Sequence, residues 1–191
     1  SVRMVREAKS RGLKVTAEAC PHHFTITEEV VRGYNTYAKM NPPLRTWKDV
    51  QAIKEGLRDG TIDVIATDHA PHATQEKQLG FTEAPFGIVG LETALPLTFA
   101  LVDEGVLSLE AAVDRLSTAP AKVFGLSKGT LAVGVDADVV IVDQQEQWEV
   151  DPAKFRSKSR NTPFAGWKVK GRVTTTIVGG RVVFKAGVAE P

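Results

Sequence analysis

The first two thirds of the chain alternate between helix-like and strand-like patterns of apolar residues. Val2, Val5 and Ala8 share one face at helical spacing, and this predicted helix ends at Arg11-Gly12. Strands are predicted at 13–19 and 62–66, helices at 1–10, 46–57, about 90–104, 108–117 and 120–125, and a long loop at 67–87. This order of helix, strand, helix, strand, helix is typical of parallel βα units.

The pattern becomes β-rich after Gly129. Residues 136–143 are typical of a short buried strand, and the runs 169–178 and 181–185 flank Gly179-Gly180, a hairpin signal. We therefore predict two parts, with βα units in residues 1–125 and a small β-domain in residues 126–191. A (β/α)8 barrel needs eight units and roughly 250 residues, so residues 1–125 can form only part of one.

Composition and charge exclude several classes of protein. The chain is 42% hydrophobic and 25% charged, with a net charge of +1, which gives no electrostatic case for binding nucleic acid or an anionic membrane. The lysines and arginines are spread along the sequence, so we expect them on the solvated surface. No apolar run has membrane-spanning length. The single cysteine, Cys20, cannot form an internal disulfide and suits a reducing cytoplasm.

The strongest candidate for chemistry follows the apolar run 62–66. Residues 67–72 (TDHAPH) place Asp68 just past the predicted end of that strand. In a (β/α) barrel this position faces the substrate, and an aspartate there can ligate a metal, accept a proton from a bound water, or do both. The same hexapeptide also suits an ordinary polar turn, and by itself it leaves both interpretations open.

All four histidines lie between residues 22 and 72, each shortly after one of the two predicted strands. His22 and His23 follow a proline and lack the i, i+2 or i, i+4 spacing of common ligand pairs, so we favour a structural or supporting role. His69 is expected to point away from Asp68 and to support it. His72 can turn back over the pocket, and for it we favour a contact with the substrate.

Three segments occur in order: 39–45 (KMNPPLR), 65–72 (IATDHAPH) and 84–90 (APFGIVG), followed by 129–138 (GTLAVGVDAD). Together they resemble the C-terminal part of bacterial-type dihydroorotases of the amidohydrolase superfamily. The resemblance implies an α/β fold: the C-terminal part of a TIM-like (β/α)8 metal-dependent hydrolase barrel at 1–125, followed by that superfamily's small β-domain at 126–191.

The resemblance also implies an activity, the zinc-dependent reversible hydrolysis of dihydroorotate to N-carbamoyl-L-aspartate in pyrimidine synthesis. Asp68 matches the residue that binds metal, takes a proton from the attacking water and delivers it to the leaving nitrogen. Asn41 and His72 match substrate-binding positions, and the Phe86-Gly87 backbone matches a segment that hydrogen-bonds the pyrimidine edge. A close approach to a flat ring would also require glycine at 87. Without the resemblance, Asn41 is equally a turn residue and Gly87 a loop hinge.

Most of the expected metal ligands are missing from the sequence. It contains no His-x-His pair, and of the six ligand positions that the resemblance implies only Asp68 is present. Catalytic zinc sites use at least three protein ligands. We therefore expect this chain alone to bind zinc weakly or not at all, and to be inactive. The start inside a helical pattern favours the C-terminal piece of a complete enzyme over an incomplete homologue.

Two alternatives compete with this hypothesis. The first is another cyclic amidohydrolase, a hydantoinase, dihydropyrimidinase or allantoinase, although Asn41 and His72 suit the additional carboxylate of dihydroorotate. The second is a non-catalytic dihydroorotase-like subunit that scaffolds aspartate transcarbamoylase. We expect a small-molecule substrate, a homo-oligomeric full-length protein in the cytoplasm, a possible aspartate transcarbamoylase partner, and no nucleic acid or membrane.

Overall fold

The structure, a computed structural model, describes residues 1–187 and has a mixed α/β architecture. Two short parallel strands, β1 (Glu18–Ala19) and β2 (Val64–Ile65), pair with each other, and β3 (Val139–Glu149), β4 (Lys168–Val178) and β5 (Arg181–Lys185) form an antiparallel sheet. The α-helices are α1 (Val2–Ser10), α2 (Pro21–Thr25), α3 (Trp47–Arg58), α4 (Thr74–Lys77), α5 (Leu91–Asp103), α6 (Leu109–Val113) and α7 (Ala119–Val123). No closed barrel forms within residues 1–187.

Both parallel strands lie where the sequence predicts them but are shorter than predicted. Only two residue pairs form the ladder, Glu18 with Val64 and Ala19 with Ile65. Before them, the Asp63 carboxylate accepts the Ala17 N–H at 2.9 Å and binds the Lys9 ammonium at 2.6 Å. A side chain thus occupies a backbone donor that a longer strand would have paired through its ladder.

The long helices α1, α3 and α5 confirm the helical periodicity. At the start of α3, the Thr46 side chain accepts the Asp49 N–H, and the Asp49 carboxylate accepts the Thr46 N–H. This reciprocal capping box satisfies two backbone donors and fixes where α3 begins. The ammonium of Lys54 binds Glu104 at 2.5 Å and ties α3 to the end of α5.

The structure corrects the expectation that the lysines are solvated. Three of them are buried: Lys39 (8% exposed), Lys54 (6%) and Lys77 (1%). A buried ammonium needs hydrogen-bond partners to offset the loss of hydration. Spacing along the chain cannot reveal such partners, because they come from segments distant in sequence.

The two helices predicted at 108–117 and 120–125 are continuous in the structure. A π-helical turn at Asp114–Thr118 joins α6 directly to α7. Pro120 lies in the first turn of α7, as predicted. A proline has no N–H to give to the preceding turn, and the wider π-helical turn before it lets the chain continue without a break.

The β-rich C-terminal part confirms the predicted hairpin, in which β4 and β5 are joined by Gly179-Gly180. Both glycines have positive φ (54° and 77°), as a two-residue hairpin turn requires. No strand of this sheet pairs with β1 or β2 among the described residues. The two parts nevertheless share a hydrophobic core, in which Phe155 and Phe164 belong to the same cluster as Phe24 and Leu97. The domain boundary at 125 stays a prediction, and residues 188–191 of the predicted β-domain lie outside the described residues.

Among the helices at 1–187, none combines the length and apolarity needed to cross a bilayer.

Candidate functional site

Asp68 lies three residues beyond the C-terminal end of β2, the position that the sequence predicts. Its side chain is exposed and its φ is 49°, in the left-handed region that non-glycine residues rarely adopt. The segment that follows is held by Ile88, since His69 forms a parallel bridge with Ile88 and the Ala70 N–H donates to the Ile88 carbonyl at 2.8 Å. Asp68 therefore stands at the start of a loop that is fixed on its far side.

The C-terminal ends of β1 and β2 meet at one edge, because the two strands are parallel neighbours. Cys20 follows β1 as Asp68 follows β2. Burial, the nearby Asp68 carboxylate and Glu18 raise the pKa of the Cys20 thiol to about 12. The shift shows that Asp68 and Cys20 are electrostatic neighbours, and it keeps Cys20 protonated at neutral pH.

His72, in the loop that follows Asp68, bonds to residues distant in sequence. Its Nε2 donates to the Phe86 carbonyl at 2.8 Å, and its backbone N–H donates to Asn161 Oδ1 at 3.2 Å. A bond to a carbonyl requires the proton on Nε2, which in the neutral ring leaves Nδ1 as the acceptor. The structure thus brings together His72 and the Phe86-Gly87 segment, which are 14 residues apart in sequence.

Gly87 is required by the protein's own backbone. Its φ is 107°, and a Cβ at this position would lie 2.5 Å from the Cβ of Ala70. Its N–H donates to the Lys39 carbonyl at 2.8 Å, and its carbonyl accepts from Lys77 Nζ and Asn161 Nδ2, both at 3.2 Å. A substrate that bonds to Gly87 must therefore share or exchange these partners.

Two buried lysines, which the sequence analysis missed, hold the loop that carries Phe86. Lys39 Nζ donates to the carbonyls of Thr82 (3.2 Å) and Ala84 (2.5 Å) and lies 4.5 Å from the centre of the Phe86 ring. Lys77 Nζ donates to the Pro85 carbonyl at 2.8 Å. Burial and the neighbouring Lys39 lower the pKa of Lys77 to about 8. These two ammonium groups fix the loop through its carbonyl oxygens.

Asn161, also missed, reaches the site from the C-terminal part. Besides its bonds to His72 and Gly87, its Nδ2 donates to the Ala70 carbonyl at 2.9 Å, and its own carbonyl accepts the Val89 N–H at 2.9 Å. It is 2% exposed. In sequence Asn161 lies in an irregular link 89 residues from His72, and nothing in its local pattern separates it from an ordinary loop asparagine.

Asn41, His23 and His69 are the other residues that the sequence singles out, and each has different surroundings. Asn41 is exposed and precedes Pro42, whose carbonyl is 2.9 Å from His23 Nε2. His69 Nδ1 accepts the Gly90 N–H at 3.1 Å. The contact of His69 agrees with a supporting role for this residue.

His22 stands apart from the other three histidines. It is 2% exposed, and its Nε2 has no hydrogen-bond partner. Burial, with a smaller effect of His23, lowers the pKa of His22 to about 3, so the ring is neutral near pH 7. An unpaired ring nitrogen in a closed environment is unusual and calls for an explanation.

An apolar cleft of about 600 Å³ lies beside the Phe86 loop and the segment that carries Asn41. Its wall includes Lys39, Met40, Phe86, Tyr34 and Phe81. A concave apolar surface with convergent polar groups is the usual setting for a small-molecule site.

Asp68 fits one coordination position of a divalent metal, since it is an exposed carboxylate at a strand end. One carboxylate is fewer than the three protein ligands that a catalytic zinc site uses. The one group of three potential ligands found within residues 1–187 is Cys20, His22 and His23, which does not include Asp68.

Comparison with known proteins agrees with the sequence resemblance. The model of the Amidohydrolase family matches residues 2–183. The chain is 57% identical over 187 residues to a dihydroorotase of Geobacter sp. (strain M21), and 57% identical over 185 residues to a dihydroorotase of Geobacter metallireducens. These matches cover 98% and 97% of this chain and 44% of each relative, so the chain spans less than half the length of the relatives it matches.

A solved structure gives the same answer for the fold. The L-hydantoinase (dihydropyrimidinase) of Arthrobacter aurescens superposes with a TM-score of 0.92 at 36% identity, covering all of this chain and 44% of that one. The match of the family model to nearly the whole sequence, the similarity to dihydroorotases and the superposition lead to one conclusion. The chain belongs to the amidohydrolase family.

Proposed function

We propose that the full-length protein to which this chain belongs is a dihydroorotase, which reversibly hydrolyses dihydroorotate to N-carbamoyl-L-aspartate. The observation that supports this most is a pair of hydrogen bonds that join the segments of His72, Phe86 and Asn41: His72 Nε2 donates to the Phe86 carbonyl, and the Gly87 N–H donates to the Lys39 carbonyl. The 57% identity to two dihydroorotases points to the same substrate. In this proposal residues 1–125 are the last βα units of a TIM-like barrel and residues 126–191 its small β-domain.

In the proposed reaction Asp68 acts on protons. Its carboxylate accepts the proton of the attacking water and then delivers it to the amide nitrogen that leaves as the ring opens. Asn41 and His72 bind the carboxylate and the ring of the substrate, and the Phe86 loop closes the pocket over the pyrimidine edge. The bonds from Lys39, Lys77 and Asn161 hold this loop in place before substrate arrives, which limits the entropy lost on binding.

Zinc is the cofactor that we propose for the full-length protein, where a bound ion would polarise the amide carbonyl and acidify the attacking water. Asp68 is the residue of this chain proposed to contribute to that centre. The other ligands have to come from parts of the full-length protein that this chain does not include.

Turnover by the full-length protein tests the proposal. Dihydroorotate and hydantoin are offered separately under the same conditions, after loading with zinc. We expect kcat/KM to be higher for dihydroorotate, because Asn41 and His72 suit its carboxylate, which hydantoin lacks. A preference for hydantoin would instead favour the hydantoinase alternative. The superposition on L-hydantoinase is the observation that supports this alternative.

A non-catalytic subunit that scaffolds aspartate transcarbamoylase remains the alternative from another class. The first sixty or so residues of the full-length protein discriminate, since a catalytic member carries a His-x-His pair there and a scaffold can lack it. Copurification with aspartate transcarbamoylase and absence of dihydroorotate turnover would together favour the scaffold. We also propose a cytoplasmic, homo-oligomeric protein, and the free thiol of Cys20 suits that compartment.

Replacing His72 by alanine in the full-length enzyme tests its assigned role. The substitution removes the proposed contact to the anionic side of the substrate, together with the bond to the Phe86 carbonyl. If the contact is equally strong in the ground and transition states, KM for dihydroorotate rises while kcat changes less. Steady-state kinetics measure the split. A fall in kcat with unchanged KM would assign His72 to the chemical step instead.

A further inference from the structure

A second cluster of side chains, formed by Cys20, His22 and His23, lies at the end of β1 and the start of α2. Each residue offers one ligand atom, a sulfur or an imidazole nitrogen, and the three atoms lie within 4.8 Å of one another. Cys20 and His22 are buried and His23 is partly buried. None of the three has a part in the proposed hydrolysis.

The backbone explains why three successive polar groups converge here. Pro21 occupies the first turn of α2 and starts the helix immediately after β1. Cys20 thus becomes the residue at the helix N-terminus, and His22 and His23 follow on the first turn. Their rings contact each other with centroids 4.2 Å apart and planes tilted by 58°. His22 and His23 do not have the spacing of a common ligand pair. The turn from β1 into α2 nevertheless brings both imidazoles close to the Cys20 thiol.

The hydrogen bonds of the two imidazoles leave nitrogen lone pairs available. His23 Nε2 donates to the Pro42 carbonyl at 2.9 Å, which in the neutral ring places the lone pair on Nδ1. An outer hydrogen bond of this kind is what orients metal-binding histidines. His22 is neutral and buried, and its Nε2 has no partner.

The charges around the cluster favour a cation. Asp68 and Glu18 are the carboxylates whose fields act on Cys20. Binding of a divalent ion would displace the thiol proton to solvent and form a sulfur–metal bond, with no change of oxidation state. One thiolate and two imidazoles are ligands that suit a borderline-soft ion of the zinc class.

We propose that Cys20, His22 and His23 form a binding site for a divalent ion of the zinc class, separate from the centre proposed for Asp68. The site has three protein ligands. This inference modifies the sequence-based expectation that the chain alone binds zinc weakly or not at all. It does not rest on the proposed hydrolysis, because it uses none of the residues assigned to it.

Cobalt titration of the metal-free 191-residue chain tests the proposal. Co²⁺ bound to a thiolate gives a sulfur-to-metal charge-transfer band in the near ultraviolet, which carboxylates and imidazoles alone do not produce. We expect one equivalent of Co²⁺ to develop this band and one equivalent of Zn²⁺ to abolish it. Cys20→Ser should remove the band, and His22→Asn should raise the Kd by at least about tenfold. Circular dichroism of each variant checks that the helices remain.

His69→Gln serves as the control, since it removes an imidazole without changing a ligand of the cluster, and it should retain the band. Absence of the band in the unsubstituted chain, or its persistence in Cys20→Ser, would overturn the proposal. The full-length protein provides a second measurement by metal counting. The unsubstituted enzyme should hold one zinc more per chain than its Cys20→Ser variant, whereas equal zinc contents would contradict the site. Loss of hydrolysis alone would leave this count unchanged and would bear only on the proposed function.

Discussion

Replacing Asp68 by asparagine in the full-length enzyme is expected to lower kcat for dihydroorotate by at least about 10²-fold, the low end for loss of a general acid/base group. The amide keeps the size of the carboxylate but can neither carry its negative charge nor accept a proton. Asparagine also tolerates the left-handed backbone found at this position, where φ is 49°. The variant therefore separates chemistry from backbone strain, which alanine at the same position would not. Steady-state kinetics with zinc-loaded enzyme measure the effect.

Asp63→Asn is the matched control for this prediction. Asp63 lies just before the opposite end of β2, where it binds Lys9 and the Ala17 N–H. Its loss should lower stability slightly, since it weakens the partly exposed ion pair with Lys9. We expect kcat to stay within about twofold of the unsubstituted enzyme, because Asp63 and Asp68 lie at opposite ends of β2. An Asp68→Asn enzyme with near-normal kcat, alongside an unaffected control, would remove the basis for the proton-transfer role of Asp68.

The position of Asp68 could be predicted from sequence because the signal is local. An apolar run that ends in a polar hexapeptide indicates a strand end, and β2 with its following loop confirms it. Likewise, the capped start of α3 and the Gly179-Gly180 hairpin rest on side-chain and backbone chemistry within a few residues. The lengths of β1 and β2 could not be predicted, since they depend on which neighbour pairs with each strand.

The supporting contacts of the site could not be predicted, because they are made between segments that are distant in sequence. Lys39 and Lys77 look like solvated lysines in sequence, and they are buried only because carbonyls of residues 82–87 are turned toward them. The side chain of Asn161 contacts residues that precede it in sequence by 74 to 91 positions. The cluster at Cys20 depends on a strand-to-helix turn that brings adjacent histidines together. Such groups become visible when the partner segment is known, which a single sequence does not supply.

Among these supporting residues Asn161 joins the most parts of the site. Its side chain bonds the backbone at Ala70 and His72, on the loop before α4, and at Gly87, on the loop after α4. Because the two loops belong to the βα part and Asn161 to the β-rich part, the position of the proposed substrate contacts depends on how those parts pack. Asn161 is thus a positioning residue, one that acts through His72 and Gly87.

Asn161→Leu tests this role, because leucine has a similar size and no hydrogen-bonding group. The substitution leaves the Ala70 carbonyl and the His72 N–H without their partner, while the Gly87 carbonyl keeps Lys77. We expect the free energy of unfolding to fall by about 2–4 kcal/mol, since each buried polar group left unpaired costs roughly 1–3 kcal/mol. Urea denaturation measures this loss, and Lys158→Ala, an exposed change in the same segment, should leave stability nearly unchanged.

If Asn161 has only a structural role, its replacement lowers the free energy of unfolding and leaves KM unchanged. Kinetics therefore provide the deciding measurement. In the full-length enzyme, below the temperature at which the variant unfolds, Asn161→Leu should raise KM for dihydroorotate more than it lowers kcat. Combined with His72→Ala, it should add little to the increase in KM, because both changes act on the same contact. KM effects that multiply independently in the double variant would show that Asn161 does not act through His72. Coupled effects would show that residues of the C-terminal sheet region set the geometry of a pocket whose chemistry lies on the parallel strands.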